Sequence, residues 1–389
     1  MSGPHEQPVG SRAPRITELP ALIAALPASE RALAERLFAV EATTGRLAAP
    51  ESMRAWIEGA FGTVAAVEEQ RVLRVTDRAT LEGTLFNGLR AARPTDTRTE
   101  LSDRELEEEI SGTEGDPFCR PEEGTPADTF GRIRGRYCTT ASNVAKYDAL
   151  HGLVVFDDHD PLRLTPEKVE DYLEVGLRWG RRALEEDPEA RYLFMMWNCL
   201  WRAGGSILHG HAQLTATRGM HYPAVERLRR AALGYAAEHG TNYFDDLHRA
   251  HEALGLSLRL SPEPDGTDGG VRGFVSLTPV KERELVLLGE SLDRPELRRA
   301  VGEVLRAYVK DLGVRAFNVA CLMPPLTPDG RTWEGFPALV RIVDRGDPAS
   351  RTSDIGAMEL YAAAVVAADP FRVAEELRAA LSTGRGAGE

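Results

Sequence analysis

Residues Asn198 to Gln213 read NCLWRAGGSILHGHAQ, and the end of this stretch sets the reading of the whole chain. His209, His211 and Gln213 fall at every second position, and in an extended strand alternate side chains share a face. Two imidazoles and one amide then project together, while Leu208, Gly210, Ala212 and Leu214 face the other way. Just upstream, Ala203-Gly204-Gly205-Ser206 is small enough for backbone and a hydroxyl to approach an anion closely. A polar strand face behind a glycine turn makes a poor core and a good holder for a phosphorus atom.

A neutral imidazole, with an ordinary pKa of about 6.5, is a nucleophile at neutral pH that needs no separate base. Attack by a histidine on a nucleotide α-phosphorus gives a nucleotidyl-histidine and divides a transfer into two displacements. Such chemistry rests on positioning and charge stabilisation. His211, central on the polar face, is the expected nucleophile. His209 is expected to orient it or to bind metal, and Gln213 to donate its amide N–H groups to a phosphoryl oxygen. Glutamine supplies no proton, so leaving groups already stable as anions suit the site better than alcohols or amines. The plain alternative is that a His-x-His pair is a satisfied surface strand or a structural metal site. The glutamine, the small-residue turn and Asn198 weigh against it.

The chain has 389 residues, 42% hydrophobic and 28% charged, which suits a soluble globular protein of two domains with ample core. A formal net charge of −13 speaks against a nucleic-acid partner, although local arginines can still receive an anionic substrate. Cys119, Cys138, Cys199 and Cys321 are scattered, which points to a reducing compartment. The first residues, MSGPHEQPVGSRAPR, lack an apolar signal segment, and no stretch is long enough to span a bilayer. The expected location is the cytoplasm, with no membrane partner.

Residues 1–18 read as a disordered leader. Stretches 19–47 and 52–70 carry helix-spaced apolar residues, with Ser29 as N-cap of a second helix. The texture becomes strand-like over 72–89, and 94–114 reads as an acidic exposed loop with one helical turn. LHGLVVFDD (150–158) is the clearest buried strand, and Thr165-Pro-Glu-Lys opens a helix running to about Glu186. RYLFMMW (191–197) is a strand leading into the glycine turn, and 223–254 is mostly helical. After a break at 261–270 come strands FVSLTPV and ELVLL, a helix over 293–312, strands FNVACLM and ALVRIVD, and a last helix over 367–382. The order strand, helix, strand, loop, strand thus occurs twice. The second copy has ALVRIV where the first has LHGHAQL, keeping the alternation and losing the histidines, as a degenerate internal repeat does.

The 198–213 stretch resembles the galactose-1-phosphate uridylyltransferase branch of the histidine-triad superfamily, whose site reads Asn, a glycine-serine turn, then His-Pro-His-x-Gln. The step from Asn198 to His209 and the place of Ser206 match it, while Gly210 stands where the proline is usual. The resemblance implies His211 as nucleophile, with Asn198, Gly205, Ser206 and Gln213 around the transferred phosphoryl group. LRAARP (89–94) resembles the family's Arg-Ala-x-Arg-Pro, which makes Arg90 and Arg93 candidates for the nucleotide phosphates. ASNVAKYDALHGLVVFDDHDPL (141–162) resembles its nucleoside segment, with Asn143 as the contact and Val144 in place of an acidic residue. DIGAMELYAAA (354–364) resembles its sugar-contacting segment, with Glu359 the best match. Many members carry zinc on Cys-x-x-Cys, a later histidine and the first histidine of the motif. Here the corresponding set is Asp116, Cys119, His159 and His209, with a carboxylate replacing one thiolate; all are donors that zinc accepts. The alternative is that the metal is lost and Cys119 simply buried. The family's second, iron-type site needs histidines in the C-terminal half, and none follows His251, so no iron is expected.

The implied architecture is α+β: two histidine-triad-like halves, each an antiparallel sheet with packed helices, behind an N-terminal helical extension. The expected divisions are 1–78 for the leader and helical extension, 79–255 for the half with the active-site strand and helical connector, and 256–389 for the degenerate half. The implied reaction moves an NMP group between a nucleotide sugar and a phosphate or sugar 1-phosphate; a homodimer is compatible with it. Three other readings stay open. A phosphorylase can use the same nucleophile on an NDP-hexose or dinucleoside polyphosphate, and a non-catalytic nucleotide-binding protein can keep the fold. A metal-dependent hydrolase also begins from His-x-His, but here the later histidines, 221, 239, 248 and 251, lie in the helical connector.

Overall fold

The computed structural model describes residues 13–92, 101–260 and 270–385. Strands β1 (Phe38–Arg46), β2 (Glu69–Asp77) and β3 (Gly83–Phe86) form a small sheet with β13 (Ala364–Val366), in the order β1-β2-β3-β13. The other strands are β4 (Cys138–Ser142), β5 (Leu150–Phe156), β6 (Tyr192–Cys199), β7 (His211–Thr217), β8 (Ser257–Arg259), β9 (Arg272–Val275), β10 (Glu282–Gly289), β11 (Phe317–Leu322) and β12 (Ala338–Asp344). They make one nine-stranded antiparallel sheet in the order β4-β5-β7-β6-β11-β12-β10-β9-β8.

That order is the expected repeat in three dimensions. In the first half β7 lies between β5 and β6, with helix Pro166–Glu186 connecting β5 to β6. In the second, β12 lies between β10 and β11, with helix Pro295–Arg306 connecting β10 to β11. The halves join where β6 pairs antiparallel with β11, Asn198 opposite Asn318.

Helix Pro166–Glu186 begins as its sequence dictates: Thr165 Oγ1 accepts from Lys168 N at 3.4 Å, and proline stands at the first position. Val169, Tyr172, Leu173, Val175 and Trp179 recur on its buried side. They cover the sheet face that carries Leu193, Met195 and Trp197 of β6 and Leu214 and Ala216 of β7. Each such side chain taken from water contributes about 1.5–3 kcal/mol. The alternate residues, Phe194, Met196 and Asn198 on β6 and His211, Gln213 and Thr215 on β7, occupy the opposite face, so the period-two reading holds for His211 and Gln213, but not for His209, which lies ahead of a strand that begins at His211.

The N-terminal region departs from expectation. Residues 38–46 are a strand, not the end of a helix: the helical periodicity stops at Leu37, and Val40, Thr43 and Thr44 are β-branched. Helix Ala28–Leu37 is entered from Pro27, so Ser29 lies inside its first turn and is not its cap. The expected leader reaches into structure as well, because Ile16 is buried and its N–H donates to Asp369 Oδ2 at 2.8 Å. Within 101–114 the expected single turn is a full helix, Asp103–Ser111, closed by a Ser102–Glu105 capping box with Leu106 and Ile110 buried. β13 pairs parallel with β3, so the small sheet draws on both ends of the chain, and the division at 78/79 runs between two of its strands. Among the described residues no helix is long and apolar enough to cross a membrane.

Candidate active site

β7 is hydrogen-bonded on both sides, with Val155 opposite His211, and with Leu153 and Met196 on either side of Gln213. His211 is 7% exposed, and its Nδ1 lies 2.8 Å from the carbonyl oxygen of His209. A carbonyl only accepts, so Nδ1 carries the proton and Nε2 keeps a lone pair. Phe118 packs edge-on to this ring, centroids 5.2 Å apart. Burial holds the imidazole below its usual range, despite the hydrogen bond to the His209 carbonyl, and so favours the neutral form.

The turn before the strand is built by sterics. Leu200 and Gly204 adopt positive φ (65° and 94°), and a Cβ on Gly205 would stand 2.8 Å from the Asn198 carbonyl oxygen. The Gly205 N–H donates to Leu200 O at 2.9 Å, so this glycine offers an approach free of side chain, not a donor. Ser206 follows on the surface. Gly210 stands where the resemblance leads one to expect proline, and the packing excludes that residue twice. Its N–H donates to His159 O at 2.9 Å, and a Cβ would meet Phe156 Cδ2 at 2.5 Å.

Two residues that sequence reasoning missed hold the polar face. Asn318 Nδ2 donates to Asn198 Oδ1 at 2.7 Å and to Ala203 O at 2.8 Å, while Arg345 donates to Asn318 Oδ1 at 2.6 Å. One amide of the second half thereby fixes both Asn198 and the glycine turn. Nothing in FNVACLM signals this, since it depends on the β6–β11 register. His151 is fully buried, and its Nδ1 accepts from Tyr147 N at 2.9 Å. Its proton therefore sits on Nε2, 3.0 Å from Gln213 Oε1, which turns the Gln213 amide NH2 away from His151. Asn143 Nδ2 lies 3.2 Å from the same ring nitrogen, so Asn143 does join the site. The cue for His151 was a histidine inside an otherwise apolar strand.

His209 precedes the strand and turns toward a second cluster. Its Nδ1 lies 3.1 Å from His159 Nδ1, 3.6 Å from Cys119 Sγ and 3.5 Å from an Asp116 carboxylate oxygen. All four ligand atoms fall within 4.8 Å of one another. Outer partners fix the tautomers: His209 Nε2 is 2.8 Å from Phe156 O and His159 Nε2 is 2.9 Å from Ile110 O. Both Nδ1 lone pairs consequently face each other with no proton between them. Asp116 Oδ2 is buried without a hydrogen-bond partner, and Gly115 N–H donates to Cys119 Sγ at 3.2 Å. Converging lone pairs, a carboxylate and a sulfur suit a tetrahedral divalent cation. Cys119 is exposed, not buried, whereas the other three cysteines are buried and free.

The remaining candidates lie to one side. Arg90 is exposed on the Gly88–Ala92 turn, and Arg93 lies outside the described residues. Burial acts to raise the Glu359 carboxyl, but the Gly356 N–H at 2.8 Å and the positive Lys281 and Arg90 outweigh it and hold it below the usual range. Lys281, whose charge acts on Glu359, lines a cavity of about 580 Å³ on the His211 face of the sheet. Met196, Thr215 and Asn318 form its near end, beside Gln213 and Asn198.

No family model matches the chain, and no curated protein matches its sequence. Solved structures do match. An ADP-glucose phosphorylase from Arabidopsis thaliana with bound ADP-glucose is 17% identical at a TM-score of 0.58, over 78% of this chain and 97% of that one. A GalT-like protein from Arabidopsis thaliana is 17% identical at 0.53, over 68% and 92%. A uridylyltransferase is 16% identical at 0.53, over 79% and 98%. The chain therefore has the fold that these structures share.

Proposed function

We propose that the protein is a nucleotidyltransferase that moves an NMP group between a nucleotide sugar and a phosphate or sugar 1-phosphate through a nucleotidyl-His211. One observation carries the reading: His211 is held by the His209 carbonyl in the tautomer that leaves Nε2 unprotonated, on a strand braced from both sides. In the first displacement the Nε2 lone pair bonds to the α-phosphorus, and the P–O bond to the leaving phosphate breaks with its electron pair. The His209 carbonyl, already accepting from Nδ1, stabilises the positive charge that develops on the ring. Gln213, its Oε1 taken by His151, directs N–H groups at the phosphoryl oxygens. Asn198 and Ser206 take further oxygens, Gly205 gives them room, and Arg90 and Arg93 meet the nucleotide phosphates. Asn143 contacts the nucleoside and Glu359 the sugar. The acceptor phosphate then reverses the step.

Asp116, Cys119, His159 and His209 are the residues that would hold zinc. When bound, zinc supplies a cross-link between the 116–119 turn, the end of β5 and the start of β7, keeping Phe118 against His211. A phosphorylase with inorganic phosphate as acceptor shares the first displacement. It is the second reading, favoured by the likeness to a protein named ADP-glucose phosphorylase.

Intact-mass measurement after incubation with a panel of nucleotide sugars tests the proposal. The expected result is an acid-labile, base-stable adduct of one NMP in the wild type and none in His211→Ala. An adduct surviving in His211→Ala reassigns the nucleophile. No adduct from any donor, together with no exchange activity, overturns the reading.

A further inference from the structure

The cavity beside Gln213 has walls unlike those of a site for an ordinary sugar. Its floor is the open sheet face: Phe194, Met196, Ala320, Leu322 and Val343, with Val225 at one side. Seven polar side chains also line it: Tyr147 is largely exposed, Thr215 Oγ1 is buried without a hydrogen-bond partner, and the other five are engaged within the protein. Asn318 spends its amide on Asn198, Ala203 and Arg345. Glu284, fully buried, accepts from Val280 N at 2.7 Å and from Arg341. Arg341 also grips Glu82 of the small sheet at 2.8 and 3.0 Å. Lys281 donates to the Asp354 backbone, and Tyr222 OH to Asp148 Oδ2 at 3.2 Å.

We infer that this cavity receives the body of the phosphate substrate, and that it selects a body of low polarity, a deoxygenated or hydrocarbon-bearing ring, over an unmodified hexose. The inference rests on the transferase reading for its placement. The cavity opens beside Gln213 and Asn198, so a ligand whose phosphate lies at His211 extends its body across Met196 and Thr215 into the apolar floor. Thr215 Oγ1 can meet one hydroxyl of a hexose buried there, but the others face hydrocarbon or side chains already bonded elsewhere. Each hydroxyl buried without a partner weakens binding roughly tenfold.

The test is calorimetric binding to the wild-type protein, with no nucleotide present, of galactose 1-phosphate, its 6-deoxy counterpart fucose 1-phosphate, and phenyl phosphate. Affinity is expected to rise in that order, by about tenfold or more from first to last. Ala320→Gln and, independently, Phe194→Gln put an amide into the floor and are expected to erase the advantage of phenyl phosphate over galactose 1-phosphate. A flat or reversed series, or no binding of any of the three, overturns the inference. So does conversion of a dimer to a monomer by Ala320→Gln with phosphate binding untouched, which assigns the cavity to a second copy of the chain. The readout needs no covalent adduct. A wild type that binds in the expected order but forms no adduct leaves the cavity assignment standing and removes the transferase reading; an adduct with a flat series does the reverse.

Discussion

β7 and β12 occupy the same place in their halves, each the middle strand of three and each following a strand, a helix and a strand. On the open face β7 carries His211, Gln213 and Thr215, whereas β12 carries Arg341 and Val343. Both strands put polar groups into a buried setting, but the groups are satisfied differently. His211 and Gln213 are each bonded at one end only, by His209 O and by His151, which leaves Nε2 and an amide NH2 facing outward. Arg341 is clamped by Glu284 and Glu82 and leaves little to offer. One copy of the repeat has its polar atoms half-paired and oriented by the protein, as a site requires. The other has them paired with one another, as a wall requires.

The sharpest way to break this comparison is His211→Ala. Turnover should fall about 1000-fold or more, with the NMP adduct gone and the fold intact by circular dichroism, because no neighbour can replace the lone pair. A variant that keeps a tenth of the activity would put the first half on a level with the second. On the wall side, Glu284→Ala should cost about 3 kcal/mol in urea denaturation, since Arg341 loses a fully buried partner. An unchanged midpoint would mean that the clamp is not structural.

The metal cluster comes next. Purified protein is expected to carry about one zinc per chain by elemental analysis, and Cys119→Ala or His159→Ala to lose it with a 10–100-fold drop in turnover. Full activity in a metal-free variant would separate the cluster from the site. The smallest effect sharpens the comparison: His151→Ala should lower kcat about tenfold with KM little changed, because Gln213 remains but its amide is no longer aimed. A rise in KM alone would instead give His151 a binding role.

Much of the site was legible because β-strands and tight turns are local. Alternation alone put His211 and Gln213 on one face, and the size of Gly205 reflects an approach to Asn198 only a few residues away. The second copy of the strand order was legible for the same reason. The N-terminal region was misread at 38–46, where β-branched residues followed a real helix without a break and pairing with β2 decided the outcome. Arg93 falls outside the described residues, and Arg90 and Glu359 are not among the side chains that line the cavity.

Taken alone, the order of residues determined which groups could do chemistry: an imidazole at the middle of a polar strand face, a glutamine two places on, and a carboxylate where a thiolate is usual. Tertiary structure decided which nitrogen of His209 and of His159 is free, because their tautomers are set by carbonyls distant in the chain, at Phe156 of β5 and at Ile110 of the Asp103–Ser111 helix. It also decided that Asn318 of one half would hold Asn198 of the other, since that contact exists only through the register of two strands more than a hundred residues apart. Bond donors and acceptors are written in the sequence, but their pairing is a matter of distance and direction, which only the folded chain supplies.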